Sequence, residues 1–221
     1  MAFALPPYSA AQGTCQAPEA KNFPANKFSH ISHNCVKLTY PEYPPTTGAH
    51  FASDWAMPGT YKLIMSPGYW LHSVEHGAVV ILVNCKLPGN CDGDFSRLQT
   101  IADAFPRDSS CTPKANHRIV ITADTAISTR FALVAANWSL LSDCLDSAAF
   151  AGFMKDHYAK APEDLCGGGT DFSGAGWCNA PLSLAPAQEW HGISELPLSR
   201  WPGLPVYVRP DGRELPASGP Q

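Results

Sequence analysis

Charge is scarce in this chain. Asp, Glu, Lys and Arg make up only 15% of its 221 residues, against about a quarter in an ordinary soluble domain, and no Lys/Arg run occurs anywhere. With a formal net charge of −4, the chain offers no electrostatic footprint for a nucleic-acid backbone or an anionic membrane surface, which disfavours both as partners. Long apolar runs are missing too: none approaches the ~20 residues of a transmembrane helix, so we expect no membrane span in this chain. No CxxC pair is present, which removes the main support for a zinc ribbon or a thioredoxin-type redox site. Gly167-Gly168-Gly169 lacks the Gly-Lys-Ser/Thr ending of a phosphate loop and precedes no helical pattern.

Cysteine, by contrast, is plentiful. The eight residues Cys15, Cys35, Cys85, Cys91, Cys111, Cys144, Cys166 and Cys178 are even in number and widely spaced, which favours disulfides and therefore an oxidising compartment, periplasmic or secreted. Connectivity is not readable from spacing, although Cys15–Cys35 is a plausible local pair. The opening MAFALPPYSA shows no basic segment followed by a long apolar one, so we expect a secretory leader to have been removed. Pro at 21 and Gly at 17 are high beside a hydrophobic share of 45%. That combination predicts one compact core wrapped in stiff, turn-rich loops, and the length suits a single domain.

Taken in order, residues 1–34 read as an irregular arm, 35–166 as an α+β domain, and 167–221 as a Gly/Pro/Trp-rich extension packed on the core through Trp177, Trp190 and Trp201. Lys37–Tyr40 suggests a short strand. Phe51–Tyr69 reads as a loop with a strand near Tyr61–Met65. The apolar run Gly77–Val83 predicts a strand buried on both faces. Asp94–Phe105 has helical spacing with an acidic start, and Asp146–Lys160 reads as a second helix capped by Asp146 or Ser147. Between them lie strands at His117–Ala123 and Arg130–Asn137. The core order is thus β-α-β-β-α, which fits a ferredoxin-like split βαβ arrangement if Leu204–Arg209 adds a strand, and equally another α+β sandwich.

The chemistry concentrates in Tyr43–Cys85. His50, His72 and His76, with Glu75, surround a polar turn that opens into the apolar strand. Crowded imidazoles each need partners for two ring nitrogens, and clustered protonation is self-repelling, so a bound ion is the natural reason for the grouping. A single histidine on an apolar strand is more often a hydrogen-bonded core residue. His50, at the end of the rigid turn Pro44-Pro45-Thr46-Thr47-Gly48, has little such reason to be there. His72 and His76 are four apart and share a side on a helical turn or on an extended segment. Glu75 lacks that protection: if the segment is extended it points away, as a partner behind the ligands or a possible base. His72-Ser73-Val74-Glu75-His76 also spells H-x-x-E-H, the inverted zinc-protease signature. Gly77 and the β-branched run that follow leave room for no long helix, which ranks the peptidase reading low.

PPTTGAH, then Trp55, Gly59 and Tyr61, then LHSVEHGAVVI and the downstream FMKDHYAKAPE, resemble the bacterial domain-of-unknown-function family 3105, whose members show PPTSGPH followed by VH-x-LEHGGVVI. The likeness covers about residues 33 to 166 and departs at Thr47, Ala49 and Ala78, none of them a candidate ligand. It implies an extracytoplasmic, often membrane-tethered or lipoprotein-like domain without an agreed activity. His33 resembles a further family histidine and is the expected fourth ligand, with His30 its substitute.

Imidazoles without a thiolate suit copper first by the Irving–Williams order, with zinc as the alternative. We therefore expect an extracytoplasmic metal-binding, copper-handling protein with His33, His50, His72 and His76 as ligands and the metal ion as partner. A metal-dependent oxidoreductase or hydrolase with the same cluster ranks second. A structural or interaction domain without metal ranks third.

Overall fold

Val79–Val83 is the centre of the molecule. In an extended chain, successive side chains leave opposite faces, so a strand apolar at every position has two faces to bury. Val79, Ile81 and Val83 pack with Phe95, Leu98, Ile101, Phe150, Phe153 and Met154. Val80 and Leu82 pack with Tyr69, Trp70, Leu71 and Val74 on the other side.

The computed structural model describes residues 18–23, 27–32, 34–111, 113, 115–166, 168–173 and 180–181. Its elements in chain order are β1 (Glu19–Asn22), β2 (Ser29–Ile31), β3 (Ala49–Phe51), β4 (Gly59–Ile64), α1 (Pro67–Glu75), β5 (Val79–Val83), α2 (Cys91–Asp103), β6 (Ile119–Ala123), β7 (Phe131–Ala135), β8 (Trp138–Ser142), α3 (Ser147–His157) and β9 (Ala180–Pro181). Seven strands form one mixed sheet in the order β1-β8-β7-β5-β6-β4-β9, and β2 and β3 form a separate parallel pair. The domain is α+β.

The handedness of parallel connections explains the layering. β4, β6 and β5 run parallel, with β6 in the middle. The crossover from β4 to β5 moves one way across the sheet and that from β5 to β6 moves back, so right-handed connections put α1 and α2 on opposite faces. α3 shares the α2 face. On the other face α1 lies over the sheet and packs against β3. Because β5 and β6 are direct neighbours, no strand separates them as a split βαβ requires; the other α+β sandwich is the one adopted. Leu204–Arg209, Trp177, Trp190 and Trp201 lie outside the described residues.

Several local expectations are corrected. Pro67–Glu75 is a helix and not part of a loop: Ser66 caps it, its side chain accepting from Gly68 N, and Pro67 occupies the first turn, where a missing N–H costs nothing. Gly77, at φ +88, stops it. Its N–H donates to Val74 O, and that of Ala78 donates to Ser73 O, the paired bonds of a left-handed helix terminus. Residues 19–22 are not irregular but add an edge strand to β8. Lys37–Tyr40 forms no strand, and the Tyr40 hydroxyl donates instead to Ala49 O. The stretch 130–142 holds two strands, turned at Asn137 with φ 65.

Cys85–Cys91 and Cys111–Cys166 are disulfides, and Cys35 and Cys144 are bonded as well. Cys15 lies outside the described residues. No helix among the described residues is long and apolar enough to cross a membrane.

Two sets of outcomes follow, the first on the cysteines. Thiol titration in denaturant without reductant should find close to none of the described cysteines free. Cys111→Ser opens a bridge across 55 residues and Cys85→Ser one across 6; by loop-closure entropy the losses should be about 4 and about 2 kcal/mol in chemical denaturation. The second concerns Gly68, where a Cβ would meet the Phe51 ring at 2.4 Å. Alanine is the better helix former by about 1 kcal/mol, but Phe51 is fully buried and has nowhere to go. Gly68→Ala should therefore destabilise, by about 1–3 kcal/mol as overpacking does, read as a lower denaturant midpoint.

Candidate metal centre

Four side chains converge where α1 meets the small β2–β3 pair. His30 and His50 are register partners across β2 and β3, and α1 supplies His72 and Glu75. One ligand atom from each of these four lies within 4.8 Å of every other. Helical geometry brings the α1 pair together, because residues three apart stand one above the other on the same face. The extended alternative, in which Glu75 points away, does not occur.

Each buried imidazole is oriented by its inner nitrogen. His50 Nδ1 lies 3.1 Å from Gly48 O, and His72 Nδ1 lies 2.7 Å from Phe51 O. A nitrogen facing a carbonyl carries the proton, which leaves Nε2 of His50 as a bare lone pair, while the His72 ring is held by the carbonyls of Phe51 and Asp54. This is how metal-binding histidines are commonly held. His50 Nε2 then lies 2.9 Å from Glu75 Oε2, and both atoms are buried without a hydrogen-bond partner. His30 Nε2 lies 3.3 Å from the same oxygen, in reach to donate to it; the His50 nitrogen, with its proton on Nδ1, has none to give. Lone pairs this close repel unless a proton or a cation lies between them. One proton serves a single pair of atoms; an ion serves four donors at once. Ligands at ~2.0–2.2 Å from an ion sit roughly 3–3.5 Å from one another, which is the spacing seen for these pairs.

Burial sets the protonation. Desolvation, reinforced by neighbouring imidazoles, pulls His50 and His72 down to about 4, and desolvation raises Glu75 above the ordinary carboxyl value. Trp55 packs against His72 at 5.2 Å and His76 at 4.9 Å between ring centroids, closing that side.

Of the expected ligands, His50 and His72 are brought together. Glu75, expected behind the ligands, faces them, and His30 occupies the place foreseen for a fourth histidine. His76 stands beside the group, its ring 4.6 Å from that of His72, and its Nε2 lies 3.1 Å from Glu163 Oε2. The reason is that His76 closes the helix as its C-cap while Glu75 is still within it. His33 lies outside the described residues. A second group, Asp108, Cys111 and Cys166, offers no thiolate because its sulfurs are joined; Asp108 instead binds Arg118, which also donates to His76 O.

The fold and site define an α+β domain with a largely buried histidine–carboxylate cluster close enough together to hold a metal ion. The chain belongs to the family described as "Protein of unknown function (DUF3105)", whose model matches residues 32–168. No curated protein and no solved structure matches it.

The cluster makes the metal-free protein acid-sensitive. His50, His72 and His76 all titrate near 4 when folded and near 6.5 when unfolded, so between those values the unfolded chain binds more protons. Stability from these groups is complete above about pH 6.5 and is lost as pH falls toward about 4. Glu75, shifted upward, works in the opposite direction but is one group against three. Thermal melting of metal-free protein should show a falling midpoint across this window, and His72→Ala should flatten the decline.

Proposed function

We propose that this chain is an extracytoplasmic metal-binding protein that holds one transition-metal ion, copper in the first place and zinc as the alternative, through His30, His50, His72 and Glu75. The observation that carries this reading is the His50–Glu75 contact: two buried acceptor atoms 2.9 Å apart with no hydrogen-bond partner, on which two more imidazoles converge. Neutral imidazoles with one carboxylate suit copper and zinc. A single negative charge among buried, uncharged rings is offset by a divalent ion, whereas a buried carboxylate alone is costly. The extracytoplasmic placement is supported by the paired state of the described cysteines.

The metal-dependent enzyme remains the second reading because of one feature, the exposure of His30 at 48% of its side-chain surface. A catalytic ion needs a coordination position that water or substrate reaches. Azide added to the copper-loaded protein tests it: an unchanged Cu(II) spectrum would overturn the enzyme reading.

Titrating Cu(II) and Zn(II) into metal-free protein without a histidine tag tests the site directly. One equivalent should bind, and the His50→Ala/His72→Ala double variant should not bind it. The pH dependence has a stated sign. Affinity should fall as pH nears 4, where His50 and His72 take up protons that compete for the same lone pairs. Unchanged binding in the double variant would overturn the reading.

A further inference from the structure

Resting on the metal-site reading above, we propose that His30 is the exchangeable ligand of the cluster, the position at which the nitrogen or sulfur donor of an acceptor enters, so that the protein passes its ion on by ligand exchange.

The four donors are not equivalent. His50 is fully buried on β3 and its ring is fixed on Gly48 O. His72 is 4% exposed and fixed on Phe51 O, on a helix whose residues from Gly68 to Glu75 are all buried. Glu75 is 7% exposed, and its backbone carbonyl accepts from Glu163 N at 3.1 Å. Moving any of these three means breaking core packing or the terminus of α1. His30 is different in every respect. Its side chain is half exposed, its three-residue strand is hydrogen-bonded to β3 alone, and among the described residues its ring makes no bond to a backbone carbonyl. Its hold on the group is the approach of Nε2 to Glu75 Oε2 at 3.3 Å and the edge contacts of its ring with those of His50 and His72, at 4.6 and 5.2 Å between centroids.

An exposed side chain changes rotamer on the picosecond-to-nanosecond scale, whereas packed ones follow the core. Three inner donors therefore keep the ion while the outer one swings away. The exchange balances bond for bond: the metal–nitrogen bond to His30 breaks as a bond to the incoming donor forms, the bonds to Glu75, His72 and His50 then break in turn as further donors of the acceptor replace them, and the oxidation state of the ion does not change. The ion never loses more than one ligand at a time, which is what allows transfer from a site that is otherwise buried.

The test uses the full chain as wild type, His30→Ala and His50→Ala, each offered one equivalent of Cu(II), with transfer to a chromophoric chelator followed by stopped flow over a range of chelator concentrations. His30→Ala should still hold one equivalent, with affinity reduced by about tenfold, and should hand it to the chelator about tenfold faster than wild type, because the entry position is already vacated. His50→Ala should not retain its equivalent. Transfer from His30→Ala at the wild-type rate, or loss of the ion as complete as in His50→Ala, would overturn the proposal while leaving the metal site standing. Failure of the wild type to bind one equivalent would overturn the metal-site reading itself, and the proposal with it.

Discussion

The contact between Gly68 and the Phe51 ring governs the geometry of everything around the cluster. Only a residue without a side chain lets α1 come this close to β3. Gly68, His72 and Glu75 are spaced i, i+4, i+7, one stripe along one side of the helix. Seating the first member of the stripe on β3 carries the other two over His50 and, across the register partner, over His30. The stop at Gly77 matters for the same reason. A left-handed residue there turns the chain out of the helix one residue after His76 and sends it directly into β5, so the element that presents the ligands is anchored at its far end by the central strand of the sheet.

Electrostatics then follows from position. Desolvation penalises charge on an imidazole and on a carboxylate alike, yet it moves their proton affinities in opposite directions. The buried imidazoles become poor bases while Glu75 becomes a better one, which narrows the gap between the two kinds of group and leaves their bare atoms facing each other. The backbone acceptor Gly48 O resolves the tautomer of His50 and directs its Nε2 lone pair at Glu75, while Phe51 O fixes the orientation of the His72 ring. Preorganisation of this kind lowers the cost of assembling four donors around one centre.

How much of this the amino-acid order reveals depends on the element. β5, α2, β6 and α3 lie where continuous apolar runs or amphipathic spacing indicate, because each meets the periodicity test that burial on two faces or on one stripe imposes. α1 escapes that test. With eight of its nine residues buried, it has no polar face to create a period, and only its punctuation, Ser66-Pro67 before and His76-Gly77 after, betrays a helix. β1 and β2 are short and held by pairing with distant strands, which no local pattern records. The same long-range pairing decides the histidines. His50 and His72 are legible as candidates because of their unusual company, whereas the placing of His30 depends on its register with His50 across a parallel pair separated by almost twenty residues. Glu75 is legible as a residue of interest, but its direction depends on whether the segment has period 2 or 3.6.

The disulfides bear on the site through the chain they hold. Cys111–Cys166 secures the segment that runs past the end of α1, where Glu163 N donates to Glu75 O, Leu165 N to His76 O, and the Glu163 carboxylate meets His76. Arg118 completes the same terminus, donating to His76 O while paired with Asp108 and Asp164, a cation placed where the helix dipole favours one. Oxidation thus ties down the chain that caps the helix carrying His72 and Glu75. An ion held by three imidazoles and a carboxylate would be ranked by the ordinary order of nitrogen affinity, and any further selectivity would come from the spacing that Gly68, Phe51 and the β2–β3 register impose on the four side chains.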